Sequence, residues 1–160
     1  MNSALERLLS LRVGDVMSKN VVRIPHNDTM AAAAEVLDRN DVSGAPVVDE
    51  EGRCMGVISN SDFVLRTTRS AAIADDVKEV FVQDAPGEAY HLESINQDQV
   101  RHHMTDFVES ISPDTSILDA ARAMCKEHIH RLVVLDAKKR PVGLVSSLDL
   151  VAAMVSAIEE

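Results

Sequence analysis

No window of this chain holds the 18 or so consecutive apolar residues that a membrane span requires, so a membrane-embedded role is not expected. Basic residues are also scarce: 16 Lys and Arg stand against 26 Asp and Glu, a formal charge of −10. That balance argues against duplex nucleic acid as the main partner, because neutralising phosphates takes a basic face. A small anion can still be held locally. The only two cysteines, Cys54 and Cys125, form no metal-spaced motif and read as reduced core thiols of a cytoplasmic protein. The first twelve residues lack the basic-then-apolar layout of a signal peptide, and Leu5, Leu8 and Leu9 give them a helical pattern instead. No Gly-x-Ser-x-Gly or other nucleophile context frames any serine, so a hydrolase is not supported. His102-His103 and His128-x-His130 lack the framework of a zinc site and read as exposed or hydrogen-bonded histidines. No metal is expected.

What the chain does contain is one pattern written twice. Residues 13–64 overlay residues 100–151 at a constant offset of 87 without a gap, and 13 of the 52 pairs are identical. Ordinary composition would give about one match in fifteen. The identities include Met17/Met104, Asp49/Asp136, Gly56/Gly143, Ser59/Ser146 and Asp62/Asp149. One repeat of roughly 55 residues buries too little surface to be stable alone, whereas two that share a core are not so limited. The chain therefore divides into an N-terminal helix (1–12), a first repeat (13–69), an insert (70–99) and a second repeat (100–157). The insert neither repeats nor is apolar. It reads as a linker returning the chain to the second copy, with a regulatory or dimer-contacting role as the alternative. Asp75, Asp76 and Glu79 within it read as a solvated helix face.

Each copy reads strand, helix, strand, strand, helix, an α/β (α+β) class of βαββα type. In copy one a strand over 20–24 is broken by Pro25. A helix over 29–39, capped by Asn27 or Asp28, carries Met30, Ala33, Ala34 and Leu37 on one face. Strands over 45–48 and 55–58 flank a polar turn, and a last helix starts near Ser61. Copy two repeats this with strands over 108–111, 132–135 and 142–145 and helices over 116–127 and 148–157. The strands are continuous apolar runs, as in a sheet covered by helices. Met17, Met30, Met104, Met124 and Met154 read as core fillers.

The most specific feature is Gly56-Val57-Ile58-Ser59-Asn60-Ser61-Asp62 and its twin Gly143-Leu144-Val145-Ser146-Ser147-Leu148-Asp149. Each places a serine, and an aspartate three residues on, where a strand becomes a helix. Ser-x-x-Asp at such a place is a capping box. The same geometry also suits a nucleoside phosphate: amides at a helix start attract phosphate, and a nearby carboxylate can accept both ribose hydroxyls.

The double pattern resembles the CBS domain, a tandem of which forms a Bateman module. The resemblance rests on Val16-Met17-Ser18 and His103-Met104-Thr105 at the repeat starts, on the run Ser43-Gly44-Ala45-Pro46-Val47-Val48-Asp49, and on both Gly-x-x-Ser-x-x-Asp motifs. It implies two repeats packed with pseudo-twofold symmetry, with clefts that bind AMP, ADP, ATP or S-adenosylmethionine. By that resemblance Asp149 and Asp62 hold ribose, and Ser146 and Ser59 lie near phosphate. The strand after the Met-Ser/Thr step borders the adenine, which brings in Ser18, Thr105 and Val22. The stretch His128-Ile129-His130-Arg131-Leu132-Val133-Val134-Leu135-Asp136 is similar to the last repeat of the gamma subunit of AMP-activated protein kinase, where a histidine matching His130 touches phosphate. Copy one has Ser43 and Gly44 where copy two has His130 and Arg131, so its site would borrow positive charge from Arg66 or Arg69. The implied protein is a non-enzymatic sensor and a homodimer that regulates an unnamed protein. The alternative is an interaction or oligomerisation module whose two motifs serve only as helix caps.

Overall fold

The computed structural model describes residues 2–64, 97–106 and 108–159. In chain order the elements are α1 (Asn2–Ser10), α2 (Val13–Val16), β1 (Ile24–Pro25), α3 (Met30–Arg39), β2 (Gly44–Val48), β3 (Cys54–Ser59) and α4 (residues 60–64). They continue with a 3-10 turn (Val100–His102), β4 (Ser110–Ile111), α5 (Ile117–Glu127), β5 (Arg131–Leu135), β6 (Pro141–Ser146) and α6 (Ser147–Glu159). Two compact units result. One holds residues 22–49 and 55–107 and contains Asp62; the other holds 1–21, 50–54 and 108–160 and contains Asp149.

In the Asp62 unit the sheet order is β1-β2-β3, with β1 parallel to β2 through Ile24↔Val47 and Pro25↔Val48. The first strand is shorter than the apolar run from Asn20 suggests, and Pro25 belongs to it. An edge strand tolerates a proline because the missing N–H faces no neighbour. The cap of α3 is Thr29, not Asn27 or Asp28: its backbone is extended and its hydroxyl accepts the Ala32 amide at 3.1 Å. Met30, Ala33 and Leu37 face the core, joined by Ile24, Val47, Ile58 and Val100. Ala34 is exposed, on the far edge of that helical stripe.

The Asp149 unit is built on the same plan, with order β4-β5-β6, β4 parallel and β6 antiparallel to β5. Ser116 caps α5, its hydroxyl accepting the Asp119 amide at 3.1 Å. Ser116 also donates to the Asp119 carboxylate, which with Arg122 holds that carboxyl below its usual range. Ile117, Ala120 and Met124 are buried in the positions that Met30, Ala33 and Leu37 occupy in the other unit. Helix α1 lies along α6, and Arg7 donates to the Ala157 carbonyl at 3.0 Å. The turn after β5 is tied by Asp136, whose Oδ1 accepts the amides of Lys138 and Arg140, both at 2.9 Å.

The compact units are not the two repeats in chain order, because each repeat gives its first residues to the other's sheet. Arg12 and Ser18 bridge to Ser116 and Leu144, while Gln99 and Thr105 bridge to Thr29 and Val57. The pairings match contact for contact at the offset of 87. Val13 N–H donates to the Thr115 carbonyl at 2.8 Å, and Val100 N–H to that of Asp28 at 2.9 Å. Gly14 donates to Pro113 and Arg101 to His26 in the same way.

The motif glycines make this exchange sterically possible. A Cβ on Gly56 would lie 2.5 Å from the Thr105 carbonyl oxygen and 2.8 Å from Met104 Sδ. On Gly143 it would run into Met17 Sδ. Met30 and Met124 are core fillers as expected, and Met17 and Met104, half-buried against the two cores, also cover these glycines. The cysteines are not core residues: Cys125 is exposed and Cys54 half-buried. Expectations for Arg66 and Arg69, and for the insert up to residue 96, fall outside the described residues.

Candidate functional site

Of the ten residues singled out in the sequence, the structure places Ser18, His130, Arg131, Ser146 and Asp149 in one unit. Val22, Ser43, Ser59, Asp62 and Thr105 lie in the other. Ser18 and Thr105 have therefore changed places relative to the repeats that carry them. Sequence reasoning missed this, although the identical pairs Met17/Met104 and Gly56/Gly143 were its trace.

In the Asp149 unit, β6 ends where α6 begins, and the two are locked by a complete capping box. Ser146 donates its amide and its hydroxyl to Asp149 Oδ2 at 2.7 and 2.8 Å, and its hydroxyl accepts the Asp149 amide at 3.2 Å. The Ser147 amide donates to the His130 carbonyl at 2.9 Å. Three amides at this helix start, those of Ser146, Ser147 and Asp149, thus have partners within the protein. Asp149 Oδ1, by contrast, takes no hydrogen bond among the described residues and remains an open acceptor.

Strand pairing decides which side chains share this place. Arg131 stands directly opposite Ser146, and Val133 opposite Leu144. Directly paired residues point to one face, so Arg131, Leu144 and Ser146 lie on the face opposite the one that sends Leu132, Val134 and Val145 into the core. Ser18, bridged to Leu144 at 2.9 and 3.0 Å, joins that face. His130, immediately before β5, is exposed and tied to the start of α6 through its carbonyl.

The Asp62 unit repeats the arrangement with less charge. Ser59 donates its amide and hydroxyl to Asp62 Oδ2 at 2.8 and 3.2 Å, and shares a 2.7 Å contact with the Ser61 hydroxyl. The Asn60 amide donates to the Ser43 carbonyl at 2.9 Å, the counterpart of Ser147 on His130. Where Arg131 stands in the other unit, Gly44 packs so tightly that a Cβ would be 3.0 Å from the Ile58 carbonyl and 3.2 Å from Ser59 Cβ. Any side chain here would require these neighbours to give by a few tenths of an ångström. Val22, just before β1, packs half-buried against the core, and Thr105 pairs with Val57 at 2.9 Å.

Among the described residues no group of three or more His, Cys, Asp or Glu side chains is arranged to hold a metal ion. His102 and His103 turn to one carboxylate, Asp98, at 2.9 and 2.6 Å. No helix among the described residues is long and apolar enough to cross a membrane.

Comparison with known proteins agrees with this geometry. An uncharacterised protein of Methanocaldococcus jannaschii is 30% identical over 153 residues, covering 89% of this chain and 90% of its own. The CBS domain pair of protein MJ0100, solved with 5-methylthioadenosine and S-adenosyl-L-methionine, superposes with a TM-score of 0.63 at 25% identity, covering 89% of this chain and 98% of that one. CBSX2, solved in complex with AMP, superposes with a TM-score of 0.69 at 22% identity over 94% of this chain and the whole of the other. The family model for the CBS domain matches residues 13–66 and again residues 100–156. With its strands, Ser-x-x-Asp turns and exchanged first segments arranged twice over, this chain belongs to the CBS domain family.

Proposed function

We propose that this protein is a regulatory module that binds adenosyl ligands, with AMP, ADP or ATP at the Asp149 site. One observation carries the reading: a capping box satisfied by Asp149 Oδ2 alone, which leaves Oδ1 open at the β6–α6 turn, beside which β5 begins with Arg131 opposite Ser146 and His130 just before it. A purely structural cap needs one carboxylate oxygen, and a ribose needs an acceptor beyond it. Phosphate then meets Arg131 and His130 as side chains, where a guanidinium is suited to bind it in bidentate fashion. Support also comes from the AMP held by CBSX2 and the S-adenosylmethionine held by the MJ0100 pair. The Asp62 site, with Ser43 and Gly44 in those positions, is the weaker phosphate binder, and S-adenosylmethionine is the alternative ligand. No catalytic role is assigned. A ligand that prefers one of two conformations shifts their population by its differential affinity, and a regulated protein senses the result.

A homodimer completes this reading. Leu148, Val151, Val155 and Ile158 are 73, 52, 47 and 75% exposed along α6, at the alternating three- and four-residue spacing of a helix-pairing seam. The same surface serves the alternative of a ligand-free interaction module.

Thermal unfolding against AMP, ADP, ATP and S-adenosylmethionine separates the two. Ligand at about 100 times its dissociation constant adds about 2.7 kcal/mol, which for a chain of this size is a rise of roughly 5–10 °C. Such a rise with one ligand, absent in Asp149→Ala, supports the sensor. No rise with any of the four leaves the interaction module.

A further inference from the structure

We propose that Asp98, His102 and His103 form a proton-operated clasp that fastens the segment carrying Met104 and Thr105 onto β3. Asp98 Oδ1 accepts His102 Nδ1 at 2.9 Å and the Gln99 amide at 2.8 Å, while Oδ2 accepts His103 Nε2 at 2.6 Å. The His103 side chain is only 16% exposed, so its contact is shielded from solvent in a way that the 54% exposed His102 contact is not.

The cluster sits at a structural junction. The Asp98 carbonyl accepts the Met30 amide at 2.8 Å, at the start of α3, and Val100 and Arg101 donate to Asp28 and His26. Four residues on, Met104 covers Gly56, and Thr105 exchanges two 2.9 Å hydrogen bonds with Val57. Opening the clasp therefore loosens the Thr105–Val57 pairing. Among the described residues, the charged or titratable groups on the adjoining elements are His26 and Asp28 before α3, and Arg101 and Asp106 on the segment itself, while Gly56 to Ile58 and the first turn of α3 add none.

A neutral imidazole gives Asp98 an ordinary hydrogen bond, whereas an imidazolium gives a charge-assisted one of roughly twice the strength. Proton uptake thus tightens the clasp. Protection is present at acidic pH and is lost as pH rises through the range in which histidine ordinarily discharges, about 5 to 8. The segment entering the Asp149 unit provides an internal control. Its corresponding positions are Leu11, Asp15 and Val16, and there Asp15 accepts only the Arg12 amide, at 2.8 Å.

The test is amide hydrogen exchange of the intact protein at several pH values, corrected for intrinsic rates. Val57 and Thr105 report the clasp, and Ser18 and Leu144 serve as controls. We expect Val57 and Thr105 to gain about fivefold protection from pH 8 to pH 5.5, with no such gain at Ser18 and Leu144. In His103→Gln and in Asp98→Asn, each of which keeps a neutral hydrogen bond, the gain should vanish. An equal pH response in both units, or one that persists in both variants, overturns the clasp. Should one variant fail to fold, the other variant and the comparison between units in the unmodified protein still decide.

Discussion

Ser146 sets both its amide and its hydroxyl on a single oxygen of Asp149, at 2.7 and 2.8 Å, and the second oxygen is left open. Two duties of one side chain can therefore be separated by substitution. Asp149→Ala removes the cap and should lower stability by about 1 kcal/mol. Asp149→Asn keeps an oxygen for the Ser146 amide and should lower it much less. Both should lose adenosyl-ligand binding, since neither retains the second acceptor. Denaturant titration and calorimetry on the same two variants check this; an Asn variant that binds as tightly as the unmodified protein refutes the ribose role.

Adding a methyl group at the two motif glycines should have unequal effects. At Gly56 the new Cβ meets a backbone carbonyl, that of Thr105, which cannot move without breaking its pair with Val57. At Gly143 it meets first the side chain of Met17, which can turn aside. Gly56→Ala should therefore cost about 3 kcal/mol and Gly143→Ala about 1, the two ends of the range for overpacking. Met17→Ala placed together with Gly143→Ala should recover part of the loss. Equal costs at the two glycines would count against this steric account.

Lys139 occupies the left-handed region at φ 61°, and its repeat partner Gly52 lies at φ 79°. An L side chain in that region costs roughly 1–2 kcal/mol. Lys139→Gly should therefore stabilise the protein by up to about 1 kcal/mol after the added freedom of the unfolded chain is deducted. Gly52→Ala should destabilise it by a similar amount. Thermal unfolding of both variants is sufficient; two changes of the same sign would contradict the prediction.

Acid stability should depend on Asp136. The Arg140 amide, then the Lys138 amide and the Arg140 guanidinium, hold its carboxyl below the ordinary aspartate range. A depressed carboxyl contributes stability above its unfolded value, about 3.9, and loses it as pH falls through the lower folded value. Asp136→Asn should therefore be the less stable protein near neutrality, and the gap should narrow as pH drops from about 5 to about 2. A gap that stays constant with pH would show that the carboxylate charge contributes nothing.

Much of this architecture was legible in the sequence because repetition made weak signals reinforce one another. The apolar spacing Met30, Ala33, Leu37 and its echo Ile117, Ala120, Met124 gave both core helices. The doubled Ser-x-x-Asp located both strand-to-helix turns. Two matters were hidden. Thr29 outcompeted Asn27 and Asp28 as a cap because the backbone of that residue, not side-chain preference alone, decides which oxygen reaches the amide. The exchange of first segments was hidden because an offset in sequence shows which residues correspond, not which residues touch.

The traded segments bear on how such a chain could have arisen. A lone repeat cut from this protein would have a sheet lacking its edge and a leading segment with nowhere to pair. Two identical copies could cure both defects by lending each other those segments, which is reciprocal domain swapping. Fusing the genes of such a pair end to end gives the connectivity seen here, with Ser18 on Leu144 and Thr105 on Val57. On that history the first and second repeats are former partners made permanent, free since the fusion to diverge at Ser43 and His130 while keeping the glycines that let them interlock.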